Sequence, residues 1–349
     1  MFMAGMFSRE KDENKMEKLI ANIKPGDETD KRNKLLTLSC LYEYKDDVFS
    51  TRIINNLKHI YCYRYGEIGF SGITDIDCLY ISYLLDIVNL INAEQPKQHS
   101  TLDIKWSSLS ASGIRMLCNS LVNISNVVVL WLVGCKLDDE CVKIICDMLP
   151  CIKITDLHLG DNNITDVGVK IICDMLPRTN IRRLNLGHNN ITDVGVKIIC
   201  DMLPRTNITR LNLGHNNITD VGVKIICDML PRTNITYLYL GGNNITDVGV
   251  KIICDMLPRT NITDLDLGVN NITDVGVKII CDMLPRTNIT DLNLGTNNIT
   301  DVGAQCLCSV LIRDDCRVKV LYLYGNDNIT SECKLSLEQQ LIPGVELYI

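Results

Sequence analysis

One segment of 27 residues, ITDLHLGDNNITDVGVKIICDMLPRTN from Ile154, recurs almost letter for letter from Ile181, Ile208, Ile235 and Ile262, with a divergent copy from Ile289. So short a unit cannot bury its own apolar side, so the copies must stack and share a core with their neighbours. Weaker registers extend the array in both directions. They lie around Leu102-Asp103-Ile104 and Leu130-Trp131-Leu132 on one side and Leu321-Tyr322-Leu323 on the other, with Val345-Glu346-Leu347 as a closing strand. The expectation is about nine units of 27–29 residues over residues 99–349.

Inside one copy, Leu157 and Leu159 alternate with Asp156 and His158, which predicts a short strand with one face in the core. Asn162 follows where the chain must turn, and its counterparts Asn189, Asn216, Asn243, Asn270 and Asn297 predict a ladder of bonded amides. Thr165 or Asp166 can cap the next helix, read as Val167 to Leu176. Val169, Ile172, Cys173 and Leu176 fall at i, i+3, i+4 and i+7 and form its apolar face. Pro177 stops the helix, and Gly168 allows a close approach near its start.

This pattern resembles the leucine-rich-repeat consensus, LxxLxLxxN followed by a helix. The resemblance implies an α/β fold, a leucine-rich-repeat solenoid of horseshoe form. Parallel strands about 4.8 Å apart and helices needing roughly 8 to 10 Å would bend the stack, with strands on the concave face and helices on the convex face.

Aromatic residues are only 5% of the chain, so the core is filled mainly by Leu, Ile and Val. The net charge of -7 argues against a general nucleic-acid or acidic-membrane binder. The chain holds 17 cysteines, an odd number, and its start shows no secretory apolar region. The expectation is a reduced, cytoplasmic protein without a membrane span. Cys146, Cys173, Cys200, Cys227, Cys254 and Cys281 form a ladder on the inward helix face, where free cysteine acts as a small hydrophobe. Of Cys306 and Cys308, one is expected buried and one half-exposed.

The closest copies differ almost only at three positions each. These are Asp156, His158 and Asp161; Arg183, Asn185 and His188; Arg210, Asn212 and His215; Tyr237, Tyr239 and Gly242; Asp264, Asp266 and Val269. The sixth copy continues with Asp291, Asn293 and Thr296. Two positions alternate with the buried leucines and the third lies just past the strand, so variation concentrates on the concave face, as in a recognition surface. Drift of exposed residues is the competing explanation. Against it, the exposed helix residues Lys170 and Asp174 recur unchanged as Lys197 and Asp201 and as Lys224 and Asp228.

Arg182, Arg183 and Arg210, with His188 and His215, give the strip a basic centre beside Tyr237 and Tyr239, and acidic residues lie on either side. Arginine and tyrosine dominate protein interfaces, so the expected partner is a protein or peptide with complementary patches. Nucleic acid is disfavoured, because so few arginines neutralise little backbone. His188, His215 and Asp161 could approach a metal, but Gly242 ends the series and leaves no fourth ligand, so no metal is expected. No phosphate loop, dinucleotide fingerprint, HExxH or GxSxG is present, and neither a cofactor nor an enzyme is expected.

Residues 1–30 read as a flexible tail and 31–98 as a helical cap. In the cap, LLTLSCLYEYKDDVFSTRIINNL makes one or two helices, Asp77 to Asn92 another, and Glu94 to Gln98 a break. Leu38-Ser39-Cys40-Leu41-Tyr42-Glu43-Tyr44 with Val48 resembles the helical stretch preceding the repeats of NOD-type (NACHT and leucine-rich-repeat) receptors. Ile73-Thr74-Asp75-Ile76-Asp77-Cys78-Leu79 followed by Ile81 to Leu84 resembles their first cap-like repeat, and the later repeats are similar to the ribonuclease-inhibitor-like class. The resemblance implies ligand sensing in innate immunity. The chain lacks a NACHT domain and a Walker motif, so ATP-driven assembly does not carry over. A receptor-like sensor fragment or regulator, a stoichiometric enzyme inhibitor, and an adaptor docking cellular machinery such as a ubiquitin ligase all remain open.

Overall fold

The computed structural model describes residues 4, 12–23, 31–56, 67–92, 100–124, 127–340 and 344–349. The chain divides into two compact units. One comprises Met1–Asn162 with Arg178–Asn180, and the other Asn163–Pro177 with Ile181–Ile349.

In the first unit, strands β1 (Glu67–Ser71), β2 (Ser100–Lys105), β3 (Val127–Val133) and β4 (Asp156–His158) pair in parallel in chain order. Lys31–Tyr44 and Asp47–Asn56 are separate helices. Lys45 between them has φ 56, and the Asp46 carboxylate accepts from the Phe49 N–H at 2.9 Å, so a left-handed residue ends one helix and a capping residue starts the next. Asp75–Asn92, Ala111–Leu121 and Asp139–Met148 complete the helical layer.

Two segments depart from expectation. Glu13–Ile23, placed in a tail expected to be flexible, is a helix with Met16 and Ile20 buried. β1 lies inside the region expected to be all helical: Ile68 and Phe70 are buried, and the strand pairs with β2 from Glu67↔Thr101 to Ser71↔Lys105. A boundary at residue 98 therefore falls between two strands of one ladder, so cap and repeats do not separate there. The expected break at Glu94 to Gln98 lies outside the described residues.

The second unit repeats strand, turn and helix. β5 (Arg183–Asn185), β6 (Arg210–Asn212), β7 (Tyr237–Tyr239), β8 (Asp264–Asp266), β9 (Asp291–Asn293), β10 (Val320–Tyr322) and β11 (Glu346–Tyr348) pair in parallel, each with the next. A helix such as Asp193–Met202 ends one residue earlier than the periodicity suggests. Leu203–Arg205 then forms a 3-10 turn containing Pro204, whose ring and missing N–H bar another α-helical turn. Leu184, Leu186, Ile191, Val196, Ile199, Cys200 and Leu203 bury one side of each layer of this kind.

Each strand is only three residues long, so two side-chain ladders carry the pairing onward. In the first, Asn216 Oδ1 accepts from Ile191 N–H at 3.0 Å, while Nδ2 donates to the carbonyls of Leu186, Leu213 and Gly214 at 3.0 to 3.1 Å. Asn243, Asn270, Asn297 and Asn326 each repeat this linkage to the preceding layer. In the second, capping and bridging are divided between the two residues that the sequence left as alternatives. Thr192 is the N-cap and accepts from Val194 N–H at 3.2 Å, whereas the Asp166 carboxylate accepts from Thr192 N–H at 2.9 Å and from its hydroxyl at 2.6 Å. The same bridge runs from Asp193 to Thr219 and onward to Thr330. Any Cβ at Gly195 would overlap Asp166 Oδ1, which explains glycine so near each helix start despite its propensity cost.

The cysteine ladder is buried, and Cys308 is buried where Cys306 is half-exposed. Burial pushes Cys173, Cys200, Cys227 and Cys254 up to about 12. At pH 8 only roughly one such thiol in ten thousand is ionised. Iodoacetamide on the native protein should therefore label the exposed Cys151 while the tryptic peptide IICDMLPR stays unmodified until urea is added. Early labelling of that peptide in a mass-spectrometric time course would contradict the packing. Replacing Asn216 by Ala leaves several buried backbone groups unpaired and should lower stability in urea by about 3 kcal/mol. Asn217→Ala, at an exposed asparagine in the same repeat, should stay within about 0.5 kcal/mol.

Candidate functional site

On the strand face of the second unit, register places Arg183, Arg210, Tyr237, Asp264 and Asp291 side by side, followed by Val320 and Glu346. A second row runs Asn185, Asn212, Tyr239, Asp266, Asn293, Tyr322, Tyr348. Like charges therefore face one another across neighbouring strands at Arg183↔Arg210 and at Asp264↔Asp291, an arrangement that costs the isolated sheet energy. The Arg210 guanidinium lies 3.6 Å from the Tyr237 ring centroid, a cation–π contact that offsets part of this.

The two rows do different work. Asn185, Asn212, Asp266 and Asn293 each accept from a glycine N–H two residues on, Gly187, Gly214, Gly268 and Gly295, at 2.9 Å. Asn or Asp in this row thus shapes the turn as well as the surface. In the first row, Asp264 and Asp291 accept from the hydroxyls of Thr263 and Thr290 at 2.6 Å, which aims their carboxylates. Burial, reinforced by Asp291, raises the Asp264 carboxyl above its ordinary range, although Thr263 and Arg210 pull the other way. Tyr239 is also raised, first by burial and then by Asp264 and Asp266.

The third variable position carries a feature that residue types alone did not announce. His188, His215, Val269 and Thr296 all have φ between 51 and 54, and Gly242 in the same register has φ 68. The histidine rings stack at 3.8 Å between centroids, with 15° between planes. Among the described residues, no three His, Cys, Asp or Glu side chains form a group that could hold a metal ion.

Not every expected contact residue reaches the face. Arg182 is exposed but precedes β5, in the register of Thr209, Thr236, Thr263 and Thr290, so it stands beside the strip and not on it. In the first unit His158 is half-buried and Asp161, with φ 55, lies past the strand. Asp156 accepts from the Thr155 hydroxyl at 2.7 Å, as Asp264 and Asp291 do from their threonines, but at 9% exposure it is buried. That unit has polar groups that the repeat comparison missed. Asp103 and the Trp131 indole each keep a buried polar atom without a hydrogen-bond partner, and Lys105 Nζ sits 2.7 Å from Asp103 and 4.3 Å from the Trp131 ring centroid. Alternation along β2 and β3 would have pointed to these residues.

In the second unit the comparison also missed Tyr322, Tyr324 and Tyr348, which lie beyond the close copies. Tyr322 and Tyr348 stack at 4.7 Å, and Tyr324 occupies the place of Gly295 in the preceding repeat. Another passed-over feature is a row of valines near the helix starts: Val194, Val221 and Val248 are each 62% exposed.

The repeated strand, asparagine turn and helix define an α/β leucine-rich-repeat solenoid. The leucine-rich-repeat family model matches residues 151–173, 179–200, 206–227, 233–254, 260–281 and 287–308, so this stretch of the chain is an array of leucine-rich repeats. Among solved structures it is similar to an internalin from Listeria monocytogenes at 16% identity. That match covers 81% of this chain and 86% of the other, with a TM-score of 0.44. No curated protein matches.

Val269 is β-branched yet left-handed, and 42% of it is exposed, so little packing offsets its strain. Val269→Gly should raise stability by about 1 kcal/mol, read from the urea midpoint. An unchanged or lower midpoint would show that this position is not strained.

Proposed function

We propose that this chain is a non-catalytic protein-binding module that holds a protein or peptide ligand across its strand face. One observation carries this reading. The scaffold bonds are the same from layer to layer, while the residues presented on the face change from Arg183 and Arg210 through Tyr237 to Asp264 and Asp291, with like charges adjacent at both ends. Sheet stability alone disfavours such neighbours, whereas a ligand with an acidic patch for the arginines and a basic one for the aspartates would satisfy both.

In this reading the work is cytoplasmic recognition, as a receptor-like sensor fragment or a regulator of NOD-type receptors. A tight stoichiometric inhibitor and an adaptor would use the same surface, and the partner's identity separates the three. Among the described residues, no helix is long and apolar enough to cross a membrane.

The full chain and a variant with Arg183→Ser, Arg210→Ser and Tyr237→Ser should be compared as baits in cell lysate, and any captured partner then purified and titrated. The substitutions should weaken that partner at least tenfold, while Lys197→Ser with Asp201→Ser on the helix side leaves it unchanged. A partner held equally by both baits sinks the strand-face reading.

A further inference from the structure

The acidic end of the face is a container as well as a charge. Tyr239 flanks one side of a depression of about 300 Å³, Tyr322 and Tyr324 flank the other, and Asp264, Asp266 and Asp291 lie between them. The far wall exists because the closing repeat departs from the pattern. Its Tyr324 replaces the usual glycine, and the ring lies over Gly295, where an added Cβ would come within 3.0 Å of it. Tyr322 is braced from behind by its stack on Tyr348.

The three carboxylates are already oriented. Asp264 and Asp291 are held by threonine hydroxyls, and Asp266 accepts from Gly268 N–H and from Asn293 Nδ2, each at 2.9 Å. Among the described residues, no lysine or arginine forms a salt bridge with any of the three. Burial and the neighbouring Asp291 raise the Asp264 carboxyl, against the pull of Thr263 and Arg210. The carboxylates do not converge as metal ligands. They are spread over neighbouring strands about 4.8 Å apart, in a depression that tyrosines flank. That spacing suits a planar cation that can fork onto two carboxylates while stacking on a tyrosine, which a guanidinium does and an ammonium point charge does less well. The volume lies at the bottom of the range for ligand pockets, enough for one long side chain.

We propose that this depression seats one arginine side chain of the protein ligand, with its guanidinium bridging the Asp264–Asp291 pair and stacking on one of the flanking tyrosines. The seat rests on the strand face being the binding surface, and it defines the basic feature that the ligand must carry. The probe is a blocked tripeptide, acetyl-Gly-Arg-Gly-amide, titrated into the full chain by saturation-transfer NMR beside its lysine and citrulline counterparts.

The arginine peptide should bind at least fivefold tighter than the lysine peptide, and the neutral citrulline peptide should not saturate. Asp264→Asn with Asp291→Asn should weaken the arginine peptide at least tenfold. Tyr322→Asn, which introduces the residue that Asn293 supplies in the same row, should weaken it severalfold. If the tyrosine variant disturbs the closing repeat in circular dichroism, the asparagine pair alone decides. Equal binding of arginine and lysine peptides, indifference to the asparagine pair, or no saturable transfer each overturns the seat. Failure of the seat and failure of the face are separable. A partner lost on substituting Arg183, Arg210 and Tyr237 but retained by Asp264→Asn with Asp291→Asn keeps the face and removes the arginine.

Discussion

Everything in the second unit depends on a buried asparagine amide that belongs to two layers at once. Strands of three residues make too few backbone bonds to lock one repeat onto the next, and the turn that follows leaves N–H and C=O groups pointing inward. The amide supplies an acceptor and two donors at that point. Asn216, for instance, binds carbonyls of its own turn and of the previous layer's Leu186. Buried polar groups must be paired, so the second unit keeps asparagine here through Asn326, while Cys135 holds the same register in the first unit and donates from Sγ to the Ile104 carbonyl. The Asp166–Thr192 bridge does the same on the helix side, joining one helix start to the cap of the next. Between these two seams the leucines and isoleucines need only fill space.

With the layers joined from inside, the outer face is released from structural duty, though unevenly. First-row residues range from arginine to tyrosine to aspartate, and the Arg210–Tyr237 contact links two of them across strands. The second row is less free, because Asn or Asp there also accepts from the glycine N–H beyond it. Tyr239 gives up that turn bond in exchange for an aromatic surface. The third position carries a backbone constraint with no matching side-chain constraint, and it holds histidine, glycine, valine and threonine in one left-handed geometry. A β-branched residue there is a local sacrifice of stability, the kind of strain expected where surface chemistry is selected over fold.

Much of the architecture was legible in the sequence because repetition multiplies a weak signal. One strand of three residues is invisible alone, yet Leu184 and Leu186 with Asn189 become unmistakable when the same spacing returns every 27 residues. β1 had no such support: Ile68 and Phe70 in a stretch without repeats become a strand only through pairing with β2, far along the chain. The division of labour between Thr192 and Asp166 was hidden for a related reason. Both are good capping residues by type, and only the neighbouring layer decides which one reaches across. Asp156 was misplaced because alternation reports the direction of a side chain but not what covers it.

The site was legible only where copies could be compared. Variation among near-identical repeats exposed Arg210, Tyr237 and Asp264, but the method loses sight of any residue whose repeat has diverged too far to align. Tyr322 and Tyr324 lie in such a repeat, and they form one wall of the open depression that holds the carboxylates. Departure from the repeat pattern in the β10 layer thus adds tyrosines to the surface beside the carboxylates, and one of them stacks on Tyr348 of β11.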